Sequence, residues 1–288
     1  MKANLYALAA IALWASLSAL GVSLQHVPPF LLTGIALMIG SVLAWPFVIK
    51  DRRQWQVAPR LLALGVFTLF GFHFMLFIAL RMALAVEVNL VNYLWPLFIV
   101  VLAPLYLPGV ALRGIHVTAA VVGFAGAAIA ILGGRELGGA TGSALGSPAL
   151  GYALALGSAL IWANYSLQTK RMELHGKGFP TAAIGLFGLV SGVLSLMCHA
   201  ALEPSVNLSA RDWLLLAVMG LGPLGAAFFL WDKALKLGDA RQIGILSYLT
   251  PLASTVLLMV VTGRALTWSI ALAAALIIGA ALVGTRRG

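Results

Sequence analysis

Apolar residues run along this chain in long, nearly uninterrupted stretches. Each is about 20 residues long, which is the length of one helical crossing of a lipid bilayer. They cover residues 4–24, 29–49, 60–81, 86–107, 114–133, 149–171, 180–202, 212–235, 240–262 and 267–285. The pattern predicts an all-α integral membrane protein with ten transmembrane helices.

Short polar segments rich in Gly and Pro separate these stretches, and the longest is the Gly- and Ser-rich segment at 133–147. Such composition is typical of a connecting segment. We therefore predict a first five-helix half at 1–134, a periplasmic or extracellular linker at 135–148, and a second five-helix half at 149–288.

Composition and charge agree with a membrane protein. Of the 288 residues, 62% are hydrophobic and 9% are charged, whereas soluble domains carry roughly 25% charged residues. The net charge of +10 comes from cations in short segments between apolar stretches, which predicts no nucleic-acid partner.

If the N-terminus is inside, 14 of the 18 Lys and Arg residues fall on that side. The positive-inside rule then predicts that both termini are cytoplasmic, in a cell inner (plasma) membrane protein.

The two predicted halves share sequence features. Trp14-Ala15 recurs as Trp162-Ala163, and the pattern of segment 79–96 recurs in 234–251 at a constant interval of 155 residues, the distance from Pro96 to Pro251. Five is an odd number of crossings, so the second half must insert upside down. Inverted repeats are typical of transporters, whose halves rock around a site at the membrane midplane. Duplicated membrane proteins that form channels or scaffolds remain an alternative.

Several aromatic residues fall near the midpoints of predicted helices rather than in the interfacial belt where such residues usually lie. Buried indole N–H and phenol O–H groups need partners that lipid does not supply. These rings are therefore predicted to face a central substrate cavity, and they are Trp14, Tyr93, Trp95, Trp162, Tyr165 and Tyr248. Asn89 and Asn92 share one helix face with Tyr93. We predict that the rings pack against an apolar side chain of the substrate and that the amides form hydrogen bonds with its polar groups.

Prolines inside predicted helices point to helix breaks. Pro96 and Pro251 free the carbonyls of Asn92 and Ser247, four residues earlier, for a substrate ammonium. An alternative is that both prolines only bend or hinge their helices. Pro223, in the segment 220–225, is predicted to kink the eighth helix.

Two ionisable residues, Glu87 and His73, are predicted to lie in the membrane, where such residues are functional candidates. Glu87 is alternatively a solvated residue at a helix end, and His73 a neutral packing residue.

The absence of Lys or Arg near any predicted midpoint disfavours phosphorylated substrates. With no hydrolase motif and a single cysteine, Cys198, the sequence predicts a transporter of small amphipathic solutes rather than an enzyme, without metal or cofactor.

These residues resemble a known group of proteins. The ten-helix pattern with Trp14-Ala15-Ser16 and Trp162-Ala163-Asn164 is similar to the EamA-type branch of the drug/metabolite transporter superfamily. Segments 86–96 and 161–165 resemble more closely the YddG-type aromatic amino acid exporters of bacterial inner membranes. The resemblance implies export of aromatic amino acids, with methionine, threonine or related solutes, by alternating access. The positions that match the family's motifs are Glu87, Asn92, Tyr93, Trp95, Pro96, Trp162 and Tyr165.

Two other functions fit the same residues. An exporter of drugs or quaternary cations would use the aromatic faces for the cation, and Glu87 would be its acidic partner. A scaffold or channel without transport activity is the second alternative. Competition between amino acids and lipophilic cations separates the first of these from an amino acid exporter, and saturable counterflow excludes the other.

Overall fold

The computed structural model describes residues 2–133, 147–262 and 267–284, and all regular structure in these ranges is helical. The predicted linker at 135–148 lies outside the described residues except at its end. The α-helices are α1 Lys2–Ala15, α2 Leu17–Ser23, α3 Pro29–Ser41, α4 Trp45–Lys50, α5 Pro59–Val66, α6 Phe72–Met82, α7 Ala85–Asn92, α8 Trp95–Tyr106, α9 Gly114–Gly133, α10 Pro148–Leu174, α11 Ala183–Leu202, α12 Ala210–Leu221, α13 Ala227–Leu237, α14 Ala240–Leu246, α15 Leu249–Thr262 and α16 Trp268–Gly284.

Seven helical stretches in the described ranges are long and apolar enough to cross a bilayer. They are Lys2–Ser23, Pro29–Lys50, Pro59–Met82, Ala85–Tyr106, Gly114–Leu132, Ala183–Leu202 and Ala210–Leu237. Helices satisfy their own backbone hydrogen bonds, which is why apolar sequence becomes helical in lipid. The chain is a multi-pass membrane protein.

Local signals set many of the helix boundaries. Pro29, Pro59 and Pro148 lie in the first turns of α3, α5 and α10, where a missing N–H costs no hydrogen bond. Helix α12 begins with a capping box between Ser209 and Asp212. Helix α10 ends at Leu174, and Gly176 follows with a positive φ of 65°, which suits glycine because it has no Cβ.

Several long stretches are interrupted near their middle. Helices α7 and α8 are separated at residues 93–94, and α14 and α15 at residues 247–248. One turn of π-helix, Phe67–Gly71, separates α5 from α6, and another, Gly222–Ala226, separates α12 from α13. Both π-helical turns are related by the same interval of 155 residues that relates Pro96 to Pro251. Pro96 begins α8, and Pro223 lies inside the second π-helical turn.

Close packing of small residues brings the helices together around a central space. Helix α3 packs on α11, α9 on α16, α6 on α10, and α1 on α13. At the contact between α3 and α11, a Cβ atom on Gly192 would lie only 2.9 Å from the carbonyl oxygen of Gly34. Glycine at this position therefore lets the two backbones approach closely, as is usual between membrane helices.

Candidate functional site

A cavity of about 840 Å³ lies between the helices, a volume within the usual range for small-molecule sites. Its wall is formed by residues of α1, α2, α3, α6, α7, α8, α9, α10, α12, α13 and α15 and of the second π-helical turn. It extends from Trp14 and Trp162 to the connection between α2 and α3, where Val22 and Gln25 are exposed. The cavity is therefore open at the end of the bundle where α2 meets α3.

Five rings close the opposite end of the cavity, and we call them the aromatic floor: Trp14, Trp95, Trp162, Phe228 and Trp231. All five are buried. The ring centre of Trp162 lies 5.8 Å from that of Trp14, 6.3 Å from Trp95 and 5.6 Å from Phe228. Trp231 lies beneath them, 5.2 Å from Trp14 and 5.5 Å from Trp95. These spacings are typical of tilted and edge-to-face aromatic pairs.

Hydrogen bonds hold two indoles of the aromatic floor in place. The Nε1–H of Trp14 donates to the carbonyl oxygen of Pro223 at 3.1 Å. The Nε1–H of Trp231 donates to the Ser166 hydroxyl at 3.2 Å. The π-helical turn that contains Pro223 therefore supplies an acceptor for a ring that lines the cavity.

Seven of the ten predicted substrate-binding residues lie on the cavity wall: Trp14, His73, Asn89, Asn92, Tyr93, Trp95 and Trp162. Pro251 also lies there, together with Thr250 and Ser254 from the same helix, whereas Pro96 is buried behind the wall. The break before α8 explains the arrangement, because it turns Tyr93 and Trp95 toward the same space.

The other three predicted residues lie away from the wall. The Glu87 carboxylate accepts a hydrogen bond from the Tyr152 hydroxyl of α10. Tyr165 is buried behind Trp162, with its ring centre 6.0 Å away. Tyr248 is fully buried against Phe124 of α9, with ring centres 6.4 Å apart.

Two polar side chains of the wall have their orientation set from behind. The Ser158 hydroxyl lies 2.8 Å from Oδ1 of Asn92. Nδ1 of His73 lies 2.6 Å from the carbonyl oxygen of Leu69. Because a carbonyl oxygen only accepts hydrogen bonds, Nδ1 carries the proton and the neutral ring leaves Nε2 as an acceptor. His73 can therefore receive a hydrogen bond from a ligand in the cavity.

The backbone at the helix break of residues 247–248 makes a local hydrogen bond. The carbonyl of Ser247, predicted to be freed by Pro251, accepts a hydrogen bond from the N–H of Thr250 at 2.9 Å. The prediction was wrong here, because the tight turn at the break supplies a donor three residues on. In this structure the Ser247 carbonyl is therefore not free for a substrate.

Among the described residues of the cavity wall there is no Asp, Glu, Lys or Arg. The wall is mainly apolar and aromatic, with amide, hydroxyl and imidazole groups at a few points. Such a surface suits a solute without net charge, since an unpaired ion would lose its hydration without compensation.

Asp232 and Glu203 are carboxylates with buried side chains that were not predicted from the sequence. Asp232, on α13, is fully buried, and its Oδ2 accepts hydrogen bonds from Lys236 Nζ at 2.7 Å and Thr181 Oγ1 at 2.6 Å. Glu203, after α11, is paired with Arg81 at 3.0 Å and also accepts from the N–H of Phe30. The spacing of Asp232 and Lys236, four residues apart in an apolar helix, was a usable signal.

A third carboxylate, Asp239, lies in the connection between α13 and α14, at the same end of the bundle as Lys236. It is paired with Arg241 at 2.6 Å. Burial alone would raise the pKa of Asp239, but hydrogen bonds from Arg241 and the charge of that residue outweigh it and lower the pKa. Asp239 is thus ionised at neutral pH.

Comparison with known proteins gives a consistent family. The model of the EamA-like transporter family matches residues 1–132 and 149–285. An aromatic amino acid exporter YddG from Ancylobacter novellus is 39% identical, over 99% of this chain and 97% of that protein. The aromatic amino acid exporter YddG of Escherichia coli is 28% identical, over 100% of this chain and 99% of that protein.

A solved crystal structure has the same fold. It is 36% identical in sequence, covers 99% of this chain and 98% of its own, and superimposes with a TM-score of 0.88. The resemblance predicted from the two Trp-Ala motifs and segment 86–96 is therefore confirmed across nearly the whole sequence. The chain belongs to the EamA-like transporter family, whose members are transporters and not enzymes.

Proposed function

We propose that this protein exports aromatic amino acids and related amphipathic amino acids across the cell inner membrane. The observation that carries the proposal is the cavity of about 840 Å³, with an aromatic floor and a wall free of charged side chains among its described residues. A zwitterion with an apolar side chain has no net charge and matches this wall. The names of the relatives that match over their whole length support the same substrate class.

The polar groups of the wall suit the two ends of such a substrate. The side chain would lie against Trp14 and Trp162, since aromatic pairs contribute about 0.5–1.5 kcal/mol beyond their buried area. The Nε2 atom of His73 would accept a hydrogen bond from the ammonium group. Asn89 and Asn92 would meet the carboxylate through their amide groups.

The cavity supports a lipophilic-cation substrate less well. A cation would need a carboxylate at depth, and Glu87, the candidate named for that role, is bonded to Tyr152 and lies off the described wall.

Transport would proceed by alternating access between two inverted five-helix halves, 1–134 and 149–288. Stretches 148–174, 240–262 and 268–284 would be the three further crossings that make ten. The 155-residue interval between helix breaks and the separate matches of the family model to 1–132 and 149–285 support a duplicated chain. An odd number of crossings per half then makes the halves antiparallel, and residues 93–94, 247–248 and the π-helical turns are the proposed hinges.

The topology is testable with single cysteines after Cys198 is changed to Ser. Arg52 and Asn207 are both exposed, and the inverted arrangement places them on opposite sides. We expect an impermeant maleimide to label Asn207→Cys in intact cells and Arg52→Cys only after permeabilisation. Equal labelling of both positions in intact cells would contradict two cytoplasmic termini.

The substrate class is testable with purified protein in liposomes. We expect saturable counterflow of radiolabelled phenylalanine, with competition by tryptophan and tyrosine and little competition by tetraphenylphosphonium. The reason is that the described wall has no carboxylate to pair with an isolated cation. Strong competition by the cation with no effect of amino acids would instead identify a drug exporter. Flux without saturation would identify a channel.

A further inference from the structure

Several residues of the first half that line the cavity have counterparts in the second half that are buried away from it. Leu17 and Ser18 line the cavity, whereas Tyr165 and Ser166, found 148 residues later like Trp162 after Trp14, are buried. Phe77 lines the cavity, whereas Asp232, found 155 residues later, is fully buried. The same holds for Tyr93 and Tyr248. If the two halves are inverted, the buried counterparts would line the cavity when the protein opens to the opposite side, and the present wall residues would be buried.

Asp232 lies on the side of the aromatic floor away from the cavity. It follows Trp231 directly and comes one turn after Phe228, both in the aromatic floor. Lys236 comes one further turn along α13. It therefore contacts Asp232 from the end of the bundle opposite to the opening of the cavity.

The ammonium group of Lys236 occupies a site built for an ammonium ion. Its Nζ is 2.7 Å from Oδ2 of Asp232, 2.6 Å from the carbonyl oxygen of Phe179 and 4.1 Å from the centre of the Phe179 ring. A carboxylate, a carbonyl and an aromatic face are the partners that an ammonium prefers in a dry environment. Thr181 completes the site through its hydrogen bond to Asp232.

The carboxylate of Asp232 has spare hydrogen-bonding capacity. Its second oxygen, Oδ1, is buried and has no hydrogen-bond partner among the described residues. A buried carboxylate oxygen without a partner is costly. The Lys236 ammonium contacts only Oδ2, so Oδ1 can still accept a hydrogen bond from an N–H donor of a ligand.

We infer that Asp232 binds the ammonium group of the amino acid substrate when the protein is open to the opposite side, where an exporter loads its cargo. Lys236 then acts as a resident substitute, which fills the ammonium site while that side is closed and leaves when a substrate arrives. Tyr165, Ser166 and Tyr248 form the wall around the substrate in that state. This inference rests on the proposed function and on the inverted arrangement of the halves.

The test measures loading from the inner side. Uptake of radiolabelled phenylalanine into everted membrane vesicles gives the KM at the inner face, with vesicles from cells without the protein as background. We expect Asp232→Asn to raise this KM by about tenfold or more, because a hydrogen bond to a charged group is lost. We expect Lys236→Gln to lower it by about threefold, because the resident competitor for the site is removed.

Opposite signs separate binding from a purely structural ion pair, which would make both variants worse in the same direction. Inhibition by 3-phenylpropionate, which lacks the ammonium, should be unchanged in Asp232→Asn. Asp239→Asn is the matched control, since it neutralises a paired carboxylate at the same end of the bundle and should leave KM unchanged. Counterflow measured from the outer face should keep its wild-type KM in all variants.

Two results would overturn the inference. One is an unchanged inner-face KM in Asp232→Asn, and the other is a KM that rises in both single variants. If Asp232→Asn does not fold, comparison of the double variant Asp232→Asn/Lys236→Gln with Lys236→Gln gives the same measurement without an unpaired lysine. A wild-type protein that moves no amino acid would contradict the proposed function itself, which distinguishes the two failures.

Discussion

Replacement of Trp162 by alanine is expected to abolish transport of aromatic amino acids, with a loss of at least about 100-fold in counterflow rate. Trp162 lies at the centre of the aromatic floor, within 6.3 Å of the ring centres of Trp14, Trp95, Phe228 and Trp231. Removal of a buried Trp side chain costs about 3–5 kcal/mol of packing. The substrate ring would lose its stacking surface, and the floor would no longer close the cavity.

The measurement is counterflow in liposomes at equal amounts of monodisperse protein, so that a folding defect is not read as a transport defect. Trp268→Ala is the matched control, because Trp268 is 84% exposed and should keep wild-type rates. Trp162→Phe, which retains a ring, should recover part of the activity. Wild-type counterflow by Trp162→Ala would remove the aromatic floor from the proposed site.

The second large effect is expected at His73. Replacement by asparagine retains a donor for the Leu69 carbonyl, which Nδ1 now contacts at 2.6 Å, but removes Nε2. We expect affinity for phenylalanine to fall by about 10- to 100-fold, since hydrogen bonds to charged groups contribute about 1.5–3 kcal/mol. Inhibition of counterflow by unlabelled phenylalanine measures this affinity.

Three comparisons make the His73 prediction specific. His73→Gln places an amide oxygen near the position of Nε2 and should retain more affinity than His73→Asn. His175→Asn is the control, because His175 contacts a carbonyl four residues earlier in the same way, at 2.8 Å, but is exposed and lies off the cavity wall. Inhibition by 3-phenylpropionate, which has no ammonium, should be equal in wild type and His73→Asn. An equal loss for both ligands would mean that His73 acts through packing alone.

Much of the helical organisation was predictable because lipid leaves an apolar chain few choices. In lipid, each backbone N–H and C=O must be hydrogen-bonded within its own segment. The helices therefore coincide closely with the apolar stretches of the sequence. Proline acts equally locally, and Pro96 and Pro223 lie at interruptions of their helices. Position within a predicted helix also separated the candidate rings from others such as Trp213 and Trp268, which lie at the ends of apolar stretches and are exposed.

Burial of charge was less predictable. Asp232 and Lys236 have the spacing of a pair on one helix face. Spacing alone does not reveal whether such a pair is exposed to water or buried in the protein. Glu203 pairs with His199, four residues earlier, but its other partners Phe30 and Arg81 are more than 100 residues away in sequence. Only packing of α3, α6 and α11 brings these groups together.

By itself, the amino-acid sequence determined that this is a helical membrane protein of a transporter family, with aromatic and amide groups concentrated in a few helices. It did so because hydrophobicity, proline and motif order are properties of neighbouring residues. Tertiary structure alone decided which members of equivalent pairs line the cavity. Tyr93 and Tyr248 occupy matching motif positions, yet one lines the cavity and the other is fully buried. The reason is that the helices are apart at one end of the bundle and packed together at the other, and residue order does not encode which end is open.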